Sequence, residues 1–143
     1  MNIASIIAER NSDEIVSCDI STPVSEAVSI LAQRRIGAMP VMRESSVVGI
    51  ISERDIIYRL ASNGSGCLEG PVEAIMTSPV ITVEPSTAID DALALMTRRR
   101  FRHFPVVEDG ALRAFVSIGD LVKTRIDEVE HEAEALRNYI QTV

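Results

Sequence analysis

The chain carries nearly the same pattern twice, displaced by 65 residues and without a gap. Aligning Ile15–Ala61 with Val80–Ile126 sets Ser21-Thr22 on Ser86-Thr87, Ala27 on Ala92 and Arg34-Arg35 on Arg99-Arg100. It also sets Pro40-Val41 on Pro105-Val106, Ser52 on Ser117 and Asp55 on Asp120. Only nine positions are identical, yet the apolar positions between them stay apolar: Val24/Ile89, Val28/Leu93, Leu31/Met96, Ile51/Val116, Ile56/Leu121. A repeat of this kind constrains the fold before any local reading does. Two copies are too few for a solenoid. Packed face to face about a pseudo-two-fold axis, they make one domain with two equivalent clefts.

The length of 143 residues suits one domain, and 46% hydrophobic residues suffice for a core. With aromatics at 3% and no Trp, that core must be built from aliphatic side chains. The net charge of −7 argues against a nucleic-acid partner and is read as solubility. Cys18 and Cys67 have neither metal spacing nor a disulfide framework and suit a reducing cytoplasm. The first ten residues lack the pattern of a signal peptide, and no apolar run is long enough for a membrane partner.

Each repeat reads as β-α-β-β-α. A short strand, Ile15–Cys18 or Val80–Val83, leads to a helix start. There Thr22-Pro23 offers a capping hydroxyl before a Pro at the first helical position, and Thr87-Ala88-Ile89-Asp90 has capping-box spacing. Val24, Ala27, Val28 and Leu31, like Ile89, Ala92, Leu93 and Met96, recur at helical spacing. Arginines close both helices, where the dipole favours them. A hairpin follows: Ala38–Met42 with Val47–Ile51 across Glu44-Ser45-Ser46, then His103–Val107 with Leu112–Val116 across Asp109-Gly110. A second helix begins at Ser52 or Ser117. The fold class is therefore α/β of the α+β kind, with repeat one at about 1–61, a polar linker at 62–71, repeat two at about 72–126 and a helical extension over 127–143. Short apolar lead-ins, Ile3–Ile7 and Val72–Met76, precede the repeats and align only if repeat one carries extra residues around Ala8–Glu14. In the extension, Ile126, Val129, Ala133, Leu136, Ile140 and Val143 form an alternating three-four stripe, suited to the core or to a partner helix.

The chemistry sits where each hairpin ends. Ser52-Glu53-Arg54-Asp55 and Ser117-Ile118-Gly119-Asp120 place a Ser at a strand end and an Asp in the first helical turn. Taken once, this is a near capping box. A carboxylate at a strand-to-helix turn also suits a ribose diol, and the free N–H groups beside it suit an anion. Arg98-Arg99-Arg100-Phe101-Arg102-His103-Phe104-Pro105 concentrates positive charge in an acidic chain. Arg102 and His103 face Gly37 and Ala38 in the other repeat, so the clefts should differ in charge, with the Asp120 cleft preferring the more phosphorylated ligand.

These pieces, doubled in register, resemble a tandem cystathionine-β-synthase (CBS) domain pair, or Bateman module, of the small stand-alone bacterial kind. The matching motifs are Ser-Thr-x-x-x-x-Ala, the strand entries ending Pro40-Val41 and Pro105-Val106, and the two Ser-x-x-Asp closures. The resemblance implies an adenine-nucleotide ligand in the clefts, AMP first, with NAD or ATP as alternatives and no catalytic cofactor. It implies one site from Asp120, Ser117, Arg102, His103, Phe104 and Pro105 with Ser17 and Ile20 of the first strand. The other comprises Asp55, Ser52, Arg54, Met39 and Pro40 with Ile81 and Thr82. The implied protein is a cytoplasmic regulatory or signal-transduction module, a homodimer with a further protein target. Two alternatives stand beside it. One is a ligand-free dimerisation scaffold. The other is a nucleotide-processing enzyme, disfavoured because His103 and His131 are the only histidines and neither has a nucleophile or metal set beside it.

Overall fold

Each half of the molecule is built around one antiparallel hairpin, and the two hairpins match residue for residue. The computed structural model describes residues 1–142. In the first half β2 (Ala38–Arg43) pairs with β3 (Ser46–Ser52), and in the second β4 (His103–Glu108) pairs with β5 (Ala111–Ser117). The register places Val41 opposite Gly49 and Val106 opposite Ala114, and both ladders slip immediately after that pair. Asp109 and Gly110 both have positive φ, 52° and 78°, as a two-residue hairpin turn with the twist of its strands requires.

The strand ahead of each hairpin is shorter than its apolar run suggests. β1 (Cys18–Asp19) runs parallel to β2 with Cys18 opposite Val41. In the second half it shrinks to a single parallel bridge, Val83 to Val106. Ile15 instead closes a 3-10 turn over Ser12–Glu14 and, with Val16, lines a cleft. Of the two apolar runs Ile15–Cys18 and Val80–Val83, only the last residue of each reaches the sheet.

Both first helices, α2 (Val24–Arg34) and α4 (Ile89–Arg99), start without the side-chain caps expected of them. Pro23 and Ala88 occupy the N-cap positions. The Thr22 hydroxyl accepts from the Asp19 N–H at 3.1 Å, and the Thr87 hydroxyl from the Glu84 N–H at 3.1 Å, so each closes the preceding turn instead. The orphan helix N–H groups find backbone partners: Val24 donates to the Gly70 carbonyl at 2.9 Å and Ile89 to that of Met1 at 3.3 Å. Arg35 and Arg100 close the helices with φ of 53° and 60°, the left-handed conformation that glycine usually supplies at this position.

Those carbonyls belong to lead-in segments that have exchanged places. The N-terminal helix α1 (Ile3–Ile7) buries Ile3 and Ile7 in the core of the second half, among Ile89, Met96, Phe104 and Leu121. Ile3 and Ala4 donate to the carbonyls of Thr87 and Pro85 at 2.9 and 2.8 Å. Val72 and Ile75 complete the core of the first half, beside Val24, Leu31, Met39 and Ile51. A fully buried Ile contributes about 1.5–3 kcal/mol, so each lead-in is a substantial part of the other half's core.

The helix α3 (Glu53–Asn63) runs two residues past Ala61 and ends at Gly64 with φ of 75°. The polar stretch after it is ordered as a 3-10 turn over Ser65–Glu69, and Leu68 packs on the first core. The last helix, α5 (Ile118–Gln141), is tied down early, where the Met1 ammonium reaches Glu128 at 3.2 Å and Arg125 reaches Asp90 at 3.4 Å. Beyond that, Leu136 and Ile140 are 62% and 66% exposed, so the stripe leaves its own core uncovered. Val143 lies outside the described residues. Among the described residues, no helix is long and apolar enough to cross a membrane.

Candidate functional site

Ser52 and Ser117 are the N-caps of α3 and α5, and both Ser-x-x-Asp motifs form complete capping boxes. The Asp55 N–H donates to the Ser52 hydroxyl at 3.2 Å, while the Ser52 N–H donates back to Asp55 Oδ2 at 3.0 Å. Asp120 and Ser117 repeat this at 3.2 and 2.9 Å. The other carboxylate oxygens meet different partners. Asp55 Oδ1 accepts from the Thr77 hydroxyl at 3.0 Å, and Asp120 Oδ1 lies 3.0 Å from an Arg10 guanidinium nitrogen. An ionised carboxylate has about four acceptor positions. The cap therefore leaves capacity for a ligand hydroxyl, and the structural and binding roles are compatible.

Each Asp opens onto a cleft formed where a crossing segment passes over the opposite hairpin. The Asp120 cleft has a volume of about 510 Å³ and lies between Arg10–Val16, the β5 residues Arg113–Phe115, and Ile36–Ala38. The Asp55 cleft, of about 250 Å³, lies between Thr77, the start of α3, and Arg100–His103 of the second half. A small apolar recess lined by Ile81, Pro79 and Phe101 adjoins it. Gly37 and His103 border both clefts. The wall between the clefts is thus made at the two strand entries.

The crossing segments hold these walls by different means. At the Asp55 cleft the link is a backbone bridge: the Ile50 N–H donates to the Thr77 carbonyl at 3.0 Å and the Thr77 N–H to that of Ile50 at 2.8 Å. At the Asp120 cleft arginines replace it. Arg10 donates to the Phe115 carbonyl at 3.3 Å, and Arg113 donates to the carbonyls of Arg10 and Ile7 at 2.9 and 3.1 Å. The extra residues of the first lead-in carry the chain away from β5, and long side chains close the distance.

The structure gathers most of the expected residues and redistributes others. Asp120, Ser117 and His103 line one cleft, and Asp55, Ser52 and Arg54 line the other. Arg102 departs from expectation: it lines the Asp55 cleft. The Arg102 carbonyl accepts from the Ile118 N–H at 2.8 Å at its own half's helix start, while its side chain lines the cleft of the other half. The extra phosphate charge expected of the Asp120 cleft therefore has no basis in Arg102. Phe104, Pro105, Met39 and Pro40 are buried within the hairpins and line neither cleft. Ser17 and Thr82 are exposed beside the strands, Ile20 packs on the first core, and Ile81 lines the apolar recess. Arg10, Arg113, Thr77, Tyr58 and Arg100 also line the clefts and were not anticipated. For Arg10 the insertion around Ala8–Glu14 was the available signal.

The charges follow from this geometry. Partial burial pushes the Asp120 carboxyl up, but the Ser117 N–H and the Arg10 guanidinium outweigh it and hold the group below its ordinary value. Burial, assisted by Arg102, holds His103 below the usual histidine value, although Asp120 and Glu53 pull the other way. The imidazole stacks on Phe115, with ring centroids 5.3 Å apart and planes 8° from parallel. Among the described residues, no group of His, Cys, Asp and Glu side chains could hold a metal ion.

Comparison with known proteins accords with this architecture. Residues 6–62 and 72–127 each match the CBS domain family. The CBS domain-containing protein CBSX3, mitochondrial, of Arabidopsis thaliana is 36% identical over 129 residues, which cover 87% of this chain and 63% of the plant protein. The chain thus spans less than two thirds of that relative's length. The crystal structure of the CBS-domain containing protein ATU1752 from Agrobacterium tumefaciens is similar with a TM-score of 0.82 and 31% identity, covering 87% of this chain and 99% of that one. Two similar structures hold ligands. CBSX2 of Arabidopsis thaliana in complex with AMP has a TM-score of 0.72 and 25% identity, with coverage of 88% and 96%. The CBS domain pair of protein MJ0100, in complex with 5′-methylthioadenosine and S-adenosyl-L-methionine, has a TM-score of 0.76 and 25% identity, with coverage of 90% and 98%.

Proposed function

We propose, on the premise that this chain belongs to the CBS domain family as a tandem pair, that it is a regulatory module that binds adenine nucleotides in its two clefts. The observation that carries this reading is the doubled capping box. Two aspartates at equivalent helix starts each open onto a cleft between the halves, at the positive end of the helix dipole. That arrangement offers a carboxylate to a ribose diol and partial positive charge to a phosphate. The AMP complex of CBSX2 and the two adenosine-containing ligands of the MJ0100 pair support the ligand class. AMP is the first candidate, ahead of NAD and ATP.

The module acts without catalysis, as a homodimer that passes its ligand state to a partner protein. The uncovered stripe on α5 supports the dimer. Cys18 and Cys67, both unpaired, suit the cytoplasm as its place of action. A ligand that binds only the folded state stabilises it by about 2.7 kcal/mol at a hundredfold excess over Kd. Millimolar AMP, ATP or NAD should raise the melting temperature of the whole chain, and mass spectrometry should find an adenine nucleotide in the protein as purified. No shift with any of the three would overturn the reading. Turnover of the nucleotide would replace it with the enzyme.

A further inference from the structure

The two clefts differ most in the state of their arginines. In the Asp120 cleft both guanidiniums are committed. Arg10 is held by Asp120 at 3.0 Å and donates to Phe115, while Arg113 is spent on the carbonyls of Ile7 and Arg10. In the Asp55 cleft Arg54, Arg100 and Arg102 line the wall, and none of the three has an ion-pair partner among the described residues. Arg54 is only steered, by a 3.0 Å bond to the Tyr58 hydroxyl that leaves its charge uncompensated.

The repeat shows that this difference is specific to one side. Arg54 aligns with Gly119, and Arg102 with Gly37. Arg100 does have an arginine counterpart, Arg35, but that residue borders the outer face of α2 and α3 and is absent from the Asp120 cleft. The acidic groups do not cancel the cluster. Three guanidiniums face two carboxylates in that wall, Asp55 and Glu53, which leaves it net positive. Uncompensated guanidiniums converging on a cleft make a site for a multiply charged phosphate chain, which their planar donors meet in pairs.

We infer that the Asp55 cleft is the polyphosphate-selective site of the pair, with Arg54, Arg100 and Arg102 as its phosphate subsite, and that the Asp120 cleft does not select for added phosphate. This rests on the nucleotide-binding reading above and assigns its two sites different ligands: a nucleoside di- or triphosphate at Asp55, and a ligand chosen without regard to extra phosphate at Asp120.

The test is calorimetric titration of the full chain with adenosine, AMP and ATP, in the wild type and in Asp55→Asn, Asp120→Asn and the double variant Arg100→Gln/Arg102→Gln. A cooperative thermal transition confirms that each variant folds, with the aspartate variants melting somewhat lower for the weakened cap. Affinity should rise from adenosine to ATP only at the site that Asp55→Asn removes. The double variant should weaken ATP by about tenfold or more while leaving adenosine unchanged. The advantage of ATP should also shrink as salt is raised. A phosphate preference that survives the double variant, or that disappears with Asp120→Asn, overturns the assignment. If no adenine ligand binds anywhere, the nucleotide reading falls by itself. Inorganic tripolyphosphate then decides the anion site: binding that the double variant abolishes upholds it, and no binding ends it.

Discussion

Arg10 reaches across the molecule to within 3.0 Å of Asp120, joining the segment before the first repeat to the helix start of the second. Its loss should free the carboxylate and let the Asp120 carboxyl rise toward its ordinary value. The wild-type group sits below that value, so its contribution to stability is present above about pH 4 and is lost as the pH falls through the lowered value. Arg10→Ala should therefore cost about 0.5–1 kcal/mol more at pH 7 than at pH 2, the range for a partly exposed pair, while its bond to the Phe115 carbonyl is lost at either pH. Urea unfolding at the two pH values checks this, and an equal cost at both would assign Arg10 no part in holding the carboxylate.

Gly49 is fixed by what crosses it. A Cβ there would lie 2.6 Å from the Met76 sulfur and 3.0 Å from the Thr77 carbonyl oxygen. Met76 can turn aside, but the Thr77 backbone is held by its bridge to Ile50. Gly49→Ala should cost about 1–3 kcal/mol as overpacking. Ala114→Gly at the aligned position should cost about 0.5–1 kcal/mol, as expected for glycine within a strand. Chemical denaturation that ranks the two in the opposite order would contradict this account.

The exchanged lead-ins make a directional prediction. Ile3→Ala removes a fully buried side chain from the second core and should cost about 2–5 kcal/mol. Hydrogen exchange should speed first in β4, β5 and α4, although the substitution lies at the far end of the sequence. Faster exchange confined to β2 and β3 would mean that Ile3 serves the half it precedes.

His103 predicts a second pH effect of opposite chemistry. Its value in the folded protein is lowered, so the unfolded chain takes up the proton first. Stability is then full above the ordinary histidine value of about 6.5 and falls as the pH drops below it. His103→Gln should flatten the melting temperature between about pH 6.5 and 5. A profile that keeps its wild-type slope would remove His103 as its source.

The tail predicts assembly. A helix exposed on all sides is marginal in water, so Leu136 and Ile140 call for a covering surface. A chain ending at Glu132 keeps Glu128 and its bonds to Met1 and Arg125, and should keep the melting temperature of the monomer unit. Sedimentation should show a weaker dimer than for the full chain. A full chain that is monomeric at micromolar concentration would remove this role.

Much of this architecture could be read from the sequence because the repeat is in register. Hairpins, helix spacings and both capping boxes follow from patterns within twenty residues of one another. What could not be read was the partner of anything that crosses between halves. Thr22 and Thr87 look like helix caps, but the true partners, the carbonyls of Gly70 and Met1, lie far away in sequence. Arg102 was placed in the wrong cleft for the same reason, since alignment gives its counterpart, Gly37, but not the half it faces. Arg10 and Thr77 carried no motif, and only the passage of their segments over the opposite hairpins brings them to the aspartates.

The crossing of Ile3–Ile7 and Val72–Ile75 has a mechanical consequence. A protease cut between Gly64 and Gly70 would yield two fragments, each carrying the other's missing wedge. Neither could close its interior alone, yet together they should reassemble without the severed peptide. The halves are therefore clasped like interlocked arms, and the clefts lie at the clasp.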